Sequence, residues 1–158
     1  MRHRVILYIT HGERLLVMTE PHDPEAGLQV PGGTLEPEET PEAAAMREGF
    51  EETGLPDLSI VRFLGERQED LHPFGGDDQI HGYFYHLRAG GDPPERWRHL
   101  DRISAPEQGP IPFDLSWISL REVPRLAANQ GAFLSSLGGV ELDLGRTVRL
   151  PVRRPGQL

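Results

Sequence analysis

The chain has 158 residues, a length typical of about one domain that can bury a hydrophobic core. Hydrophobic residues make up 37% of it and charged residues 26%, which favours a folded globular protein over a disordered one. The net charge of −9 argues against binding to DNA or RNA through a basic surface, and the absence of cysteine excludes disulfide bonds and thiolate metal sites.

The N-terminal segment contains the longest apolar run of the chain, residues 5–9. A membrane-spanning helix needs roughly 20 apolar residues, and this run is also short for the core of a signal peptide. We therefore expect a cytoplasmic protein with no membrane and no nucleic acid among its partners. Because no segment resembles an interdomain linker, we expect a single domain over residues 1–158.

The first predicted elements are two β-rich runs, residues 5–9 and 15–18, which the segment His11-Gly12-Glu13-Arg14 joins as a hairpin. Residues 19–28 are predicted to form a loop, because prolines and a glycine interrupt them. The segment Pro31-Gly32-Gly33 follows. Its glycines break regular structure and let the backbone approach a ligand closely.

A helix is predicted over residues 41–53. Thr40 is a favourable N-cap, Pro41 suits the first helical position, and Gly54 is a natural residue to end the helix. Between these signals, residues 43–48 are mostly strong helix formers.

The second half of the chain gives weaker patterns. Strands are predicted at residues 58–64, 80–87 and 113–120, and five prolines predict an irregular connection over residues 90–112. We expect a second helix over residues 122–137 and a last short strand at residues 148–150.

Three carboxylates on the predicted helix indicate a metal site. Glu48, Glu51 and Glu52 stand at positions i, i+3 and i+4, so their side chains project within one sector of the helix. Like charges packed this closely repel each other unless a cation lies among them, and carboxylate oxygens suit Mg2+ or Mn2+. The alternative interpretation is a solvated acidic helix face.

The spacing around these glutamates resembles the Nudix box, G-x5-E-x7-R-E-U-x-E-E-x-G-U, where U is a bulky aliphatic residue. Its invariant positions and its last aliphatic position are all matched, by Gly33, Glu39, Arg47, Glu48, Glu51, Glu52, Gly54 and Leu55. One position departs from the pattern, since Gly49 stands where an aliphatic residue is expected. We expect this glycine to cost some stability, with Phe50 or Met46 filling the space, and to leave the chemistry intact.

The resemblance implies an α/β fold, an α/β/α sandwich with a mixed β-sheet and a loop–helix–loop catalytic motif. It implies that Glu48, Glu51 and Glu52 hold Mg2+, with Mn2+ as a substitute, and that the carbonyl of Gly32 adds a ligand. Arg47 and Glu39 would form an ion pair that orients the glutamates, while Gly33 and Gly54 support the site. The expected reaction is the hydrolysis of a phosphoanhydride bond in a nucleoside diphosphate linked to another group. A homodimer is one assembly to expect.

Two features remain open at this stage. The general base is Glu51 or Glu52, or a carboxylate outside the box such as Glu66, Glu69 or Asp70. For substrate binding, the segment Arg96-Trp97-Arg98-His99 offers an aromatic face and cations, and Tyr83 would line a cleft. Both the segment and Tyr83 have an alternative interpretation without substrate: the segment would be an exposed loop anchored by Trp97, and Tyr83 would belong to a half-buried strand.

Other functions compete with hydrolysis. A Nudix-like domain that binds a nucleotide metabolite as a regulatory module would keep the fold and lose the chemistry, and Gly49 is its best support. Isomerisation of isopentenyl diphosphate on the same fold usually needs a reactive cysteine, which this chain lacks. The remaining alternative is a structural protein with an acidic helix.

Overall fold

The computed structural model describes residues 1–70, 79–101 and 109–137. The predicted strand at residues 148–150 lies outside these ranges. The described residues form one α-helix and seven strands: β1 Arg2–His11, β2 Arg14–Thr19, β3 Gly32–Thr34, α1 Pro41–Thr53, β4 Leu58–Asp70, β5 Gln79–Ala89, β6 Arg96–Asp101 and β7 Ile111–Ser119. In these ranges no helix is both long and apolar enough to cross a membrane.

All seven strands belong to one mixed sheet with the order β4-β5-β1-β2-β7-β6, and β3 pairs with β1 outside this path. Strands β1 and β5 run parallel, and the other pairs are antiparallel. The predicted hairpin is confirmed, since β1 and β2 pair on either side of the turn at Gly12 and Glu13.

The sheet opens between β1 and β2, and this opening positions the site. The two strands pair next to their turn, at Thr10–Leu15 and His11–Arg14. Farther from the turn, β3 takes over the pairing with β1, with Gly33 opposite Val5. The chain from residue 29 to residue 34 therefore crosses from one side of the opening to the other, because residue 29 is bridged to β2.

Helix α1 matches the predicted bounds. The hydroxyl of Thr40 accepts a hydrogen bond from the backbone N–H of Ala43 at 3.1 Å, which satisfies one of the free donors of the first turn. At the other end, Gly54 takes a left-handed conformation with φ 72°, and its N–H donates to the carbonyl of Phe50. This geometry favours glycine, so the Gly54 position of the motif has a structural reason.

A hydrophobic core lies on each face of the sheet. The core on the helix side contains Leu7, Ile9 and Leu87 from the sheet together with Ala44 and Ala45 from α1. The core on the far side is built around Tyr8, Val17, Phe84, Leu126 and Leu137. The alternation of neighbouring residues in β1 thus buries both faces of the central strand.

Gly49 is buried where α1 packs on the sheet. A Cβ atom at this position would lie 3.1 Å from Leu58, 3.3 Å from Leu87 and 3.8 Å from Leu7, measured to one methyl carbon of each. These leucines fill the space of the missing aliphatic side chain. The expectation that Phe50 takes this role is wrong, because Phe50 is 39% exposed.

The segment predicted as a second helix does not form one. Within residues 122–137 the structure has turns and two short 3-10 segments, Ala127–Asn129 and Leu134–Leu137. Ala128 and Asn129 have positive φ angles, which interrupt any regular helix. The hydroxyl of Tyr8 stabilises this conformation, since it donates to the carbonyl of Gln130 at 2.6 Å and accepts from the N–H of Phe133 at 3.1 Å.

The prediction of an irregular connection over residues 90–112 is wrong for β6, which pairs along its length with β7. The burial of β6 alternates. Arg96, Arg98 and Leu100 are exposed, whereas Trp97 and His99 are half-buried and Asp101 is buried. The strand therefore has an inner face that meets α1.

Candidate active site

A cavity of about 460 Å3 lies beside the C-terminal half of α1, a volume in the range of small-molecule sites. Its walls come from α1, from β3 and the loop before it, and from parts of the other strands and of the segment after β7. The charged side chains of the lining include Arg47 and the three box glutamates on α1, and Arg2, Arg4 and Arg67 on other elements.

Arg47 holds the acidic side chains around it in fixed positions. It forms a bidentate pair with Glu39, with distances of 2.7 and 2.8 Å. Its Nη1 atom donates to Glu48 and to Glu51, each at 3.0 Å. The guanidinium lowers the pKa of the Glu39 carboxyl to about 2, so Glu39 stays charged and keeps Arg47 aimed at the helix face.

Both glycines before the helix stand where a side chain has no room. A Cβ atom on Gly33 would overlap the carboxylate of Glu48, and one on Gly32 would overlap the carbonyl oxygen of Val5. The backbone of Gly32 also forms a hydrogen bond that lowers the pKa of Glu52, which identifies the N–H of Gly32 as its donor. The loop thus lies directly against two of the glutamates.

Glu52 is the most enclosed carboxyl group of the helix face, with 6% of the residue exposed. Its side chain forms a hydrogen bond with the side chain of Asp101 at the end of β6, which is also buried. Burial raises the pKa of Glu52 well above its usual value, and the hydrogen bond and charge of Asp101 raise it further. Burial also raises the pKa of Glu48, although Arg47 opposes this effect.

The inner face of β6 holds the last turn of α1. The indole N–H of Trp97 donates to the carbonyl of Thr53 at 2.8 Å, and Nε2 of His99 donates to the carbonyl of Glu51 at 2.8 Å. Carbonyls in the last turn of a helix have no partner within the helix, so these contacts satisfy them. Together with Asp101, they fasten β6 to three consecutive residues of α1.

The residues considered for substrate binding lie elsewhere. Trp97, Arg98 and Tyr83 are not among the residues that line the cavity in the described part of the chain. Trp97 packs against the core and holds α1, Arg98 pairs with Asp114 at 2.8 Å, and the hydroxyl of Tyr83 contacts Nδ1 of His3 at 3.2 Å. The structure gives these three side chains packing and pairing roles.

Sequence reasoning missed several charged residues of the cavity, Arg4 and Asp101 among them. A signal for Arg4 was present, because Arg2, Arg4 and Ile6 alternate with residues that face the helix-side core. Asp101 could have been found from the alternation of Trp97, His99 and Asp101, had β6 been recognised as a strand.

The box glutamates fit a divalent cation by their chemistry, because carboxylate oxygens are the donors that Mg2+ and Mn2+ prefer. In the described ranges no three acidic or histidine side chains converge on one point. Glu48 and Glu51 each turn one oxygen towards Arg47. The raised pKa values of Glu48 and Glu52 reflect burial of negative charge, a cost that a bound cation would offset.

Solved structures share this fold. The MutT NUDIX hydrolase from Burkholderia pseudomallei is 24% identical, with a TM-score of 0.59 over 85% of this chain and 95% of that one. A MutT protein from Bacillus halodurans is 16% identical, with a TM-score of 0.58 over 85% and 80%. A NUDIX family hydrolase from Clostridium perfringens is 18% identical, with a TM-score of 0.57 over 90% and 96%. No curated protein matches the chain.

The family is shown by the sequence match. A family model described as the NUDIX domain matches residues 1–137, most of the 158 residues, and this range includes the whole box and the strands around the cavity. The chain belongs to the NUDIX family of pyrophosphohydrolases.

Proposed function

We propose that the protein hydrolyses a phosphoanhydride bond in a nucleoside diphosphate linked to another group, with Mg2+ as its cofactor. The observation that supports this proposal most directly is the composition of one cavity. The three box carboxylates line it, and so do Arg2, Arg4 and Arg67. In a chain of net charge −9, this is where a diphosphate can meet positive charge.

In this proposal Glu48, Glu51 and Glu52 hold the cation, and the carbonyl of Gly32 adds a ligand. A bound divalent cation supplies positive charge to the diphosphate and lowers the pKa of water that attacks phosphorus. Arg47 and Glu39 orient the helix carboxylates, as their bidentate pair indicates. The contacts of β6 keep the last turn of α1 in place while the substrate binds and leaves.

Glu51 is the general base that the geometry favours. Glu66 is paired with His81 at 2.6 Å, and neither it nor Asp70 is among the described residues that line the cavity. Glu69 does line it, but Arg67 and Asn129 each bind one of its oxygens. Glu52 is bound by Asp101. The side chain of Glu51 is 31% exposed, and Arg47 binds one of its oxygens.

The competing proposal is a regulatory domain that binds a nucleotide metabolite without turnover. Its main support was Gly49, taken as a sign that the box is impaired. The packing of three leucines against Gly49 removes this support, because the helix is seated without an aliphatic residue there. The carboxylates and Arg47 retain the contacts described above.

The test is hydrolysis of a compound panel containing NDP-sugars, ADP-ribose, dinucleoside polyphosphates, coenzyme A and oxidised dNTPs, with Mg2+ or Mn2+ and with chelator. We expect metal-dependent release of phosphate or of a nucleoside monophosphate from at least one compound. Glu51→Gln should lower kcat at least about 100-fold, which is the usual contribution of a general base.

The matched control is Glu42→Gln, which removes an exposed glutamate from the first turn of the same helix, away from the cavity. Its turnover should stay within about twofold of the wild-type value, as for a surface change away from the site. Binding of a panel compound without any turnover in the wild-type protein would favour the regulatory domain instead.

A further inference from the structure

Arg4 is a charged residue of the cavity that the catalytic assignments above leave without a role. It lies on β1 two residues after Arg2, so the two side chains leave the strand on the same face. Both line the cavity that contains the box glutamates. Opposite Arg4, the neighbouring strand has Gly82, which also lines the cavity.

Two other arginines of the cavity have acidic partners. Arg47 binds Glu39, Glu48 and Glu51, and Arg67 binds Glu69 at 2.9 Å. Arg4 differs from them. Within residues 1–70, 79–101 and 109–137 its Nε atom is shielded from solvent and has no hydrogen-bond partner, and no carboxylate forms an ion pair with its guanidinium.

This state of Arg4 is energetically unfavourable in the free protein. A shielded donor without an acceptor loses its hydrogen bonds to water and gains none in return. Burial lowers the pKa of Arg4, and the charge of Arg2 acts in the same direction. Glu52 and Glu48 attract the guanidinium at longer range, which helps to keep it in the cavity without satisfying its Nε donor.

An anion with oxygen acceptors would bind the unsatisfied donor of Arg4 and compensate its buried positive charge. A guanidinium presents several N–H donors in one plane and binds two oxygens of a phosphate at once. Glu48 and Glu52 stand close enough to act on Arg4, so an anion held by Arg4 lies beside the carboxylates that are proposed to hold the cation. A phosphoryl group carries several oxygens, so it can bind Arg4 and the cation at the same time.

We propose that Arg4 is an anion-binding residue of the cavity and receives the phosphoryl oxygens of the substrate diphosphate. The identity of the anion as part of a substrate rests on the proposed hydrolysis. Buried apolar side chains also line the cavity, Val30 and Phe84 among them, and its volume of about 460 Å3 leaves room for the group attached to the diphosphate. Arg4 therefore holds the diphosphate beside the carboxylates that are proposed to hold the cation.

The experiment is a calorimetric titration of the full chain with inorganic pyrophosphate and with ADP, after divalent cations have been removed. It compares the wild-type protein with Arg4→Gln, which removes the charge, and with Arg4→Lys, which keeps the charge without the planar fork. The matched control is Arg14→Gln, which removes an arginine paired with Glu95 on the hairpin, outside the cavity.

We expect Arg4→Gln to weaken the binding of both probes at least tenfold, Arg4→Lys to recover part of the affinity, and Arg14→Gln to bind within twofold of wild type. If Arg4→Gln does not fold, Arg4→Met takes its place, because it retains the aliphatic stem. Equal affinities of the wild-type protein and the uncharged variant would overturn the proposal. So would equal losses in Arg14→Gln, or the absence of binding by the wild-type protein.

These outcomes are separate from those of the hydrolysis panel, since the titration needs neither cation nor turnover. Binding that depends on Arg4 in a protein that hydrolyses no panel compound would keep the anion site and reject the proposed reaction. If the protein shows metal-dependent hydrolysis, and Arg4→Gln has unchanged kinetics and unchanged probe binding, the proposed reaction is kept and the anion site at Arg4 is rejected.

Discussion

Asp101 and Glu52 form a hydrogen bond through their side-chain carboxyl groups, and both residues are buried where β6 meets α1. Trp97 and His99, on the same face of β6, bind carbonyl groups of the last helical turn. The orientation of Glu51 and Glu52 therefore depends on a strand that lies far along the chain from the box. The helix alone does not determine the geometry of the site.

The first prediction concerns Trp97→Phe, which removes the N–H donor to Thr53 and retains an aromatic ring. Loss of one such hydrogen bond costs about 1 kcal/mol of stability. Because the last turn of α1 can then shift, we expect kcat to fall on the order of tenfold, as small misplacements of catalytic groups do. Steady-state kinetics on the panel substrate and urea unfolding measure the two effects.

Trp117→Phe is the control for this prediction. The indole N–H of Trp117 donates to the carbonyl of Pro94 at 2.9 Å, so its loss costs a similar bond. The two indole rings are neighbours, 6.3 Å apart between centroids, but of the two only Trp97 donates to α1. We expect comparable stability loss with activity close to wild type. Equal loss of activity in both variants would contradict a positioning role for β6.

The second prediction concerns Gly33→Ala. The added Cβ atom would occupy the position of the Glu48 carboxylate. Since this carboxylate is the far end of a flexible side chain, it can move at little cost to the fold. We expect the unfolding free energy to change by less than about 1 kcal/mol, while activity falls on the order of 100-fold because a proposed cation ligand is displaced.

Isothermal titration with Mn2+ provides a second readout for Gly33→Ala, and we expect weaker binding. Asp57→Ala is a suitable control, since Asp57 is an exposed loop residue that does not line the cavity. Wild-type activity and wild-type Mn2+ affinity in Gly33→Ala would show that Glu48 does not need its present position.

Local sequence was sufficient to predict the helix and its carboxylates. Thr40 and Gly54 act through contacts within a few residues, and the i, i+3, i+4 spacing of the glutamates follows from helix geometry. The contacts between α1 and β6 could not be predicted in this way. Prolines around β6 suggested a loop, and the strand forms because it pairs with β7 and buries Trp97 against the core.

Tertiary packing also explains the other differences. The space beside Gly49 is filled by leucines from strands that pack against α1. The sequence near Gly49 does not predict these contacts, because the leucines belong to other elements of the chain. The segment after β7 contains residues compatible with a helix, but Tyr8 binds its backbone in a turn conformation. Arg4 lies just before the predicted strand at residues 5–9, and only the three-dimensional structure shows that its Nε atom lacks a hydrogen-bond partner within the described residues.

The third prediction concerns the departure from the box. Gly49→Leu would restore the aliphatic residue of the pattern, but the leucines of the core already occupy the space. We expect it to lower the unfolding free energy by about 1–3 kcal/mol through overpacking. Gly49→Ala should be nearly neutral, since a gain of about 1 kcal/mol in helix propensity offsets a tight methyl group. Urea unfolding of both variants measures the difference. A more stable Gly49→Leu would show that the core is underfilled.

The fourth prediction is a pH dependence of stability that arises outside the cavity. His86 is fully buried in β5, and its Nε2 forms a hydrogen bond with the hydroxyl of Thr10 at 2.8 Å. Burial lowers the pKa of His86 from 6.5 to about 3, and the charges of Arg88 and Arg62 act in the same direction. The folded protein therefore keeps His86 neutral at pH values where the unfolded chain takes up a proton.

The sign follows from this difference in proton uptake. Above pH 6.5 the His86 side chain is neutral in both the folded and the unfolded protein, so it adds no pH dependence. As the pH drops from 6.5 towards 3, the free energy of unfolding falls. The slope approaches at most about 1.4 kcal/mol per pH unit. Urea unfolding between pH 7 and pH 5 should show this loss in the wild-type protein and a smaller one in His86→Gln, which cannot titrate. His22→Gln removes an exposed histidine and should retain the wild-type slope. Parallel curves for wild type and His86→Gln would mean that other groups cause the acid loss of stability.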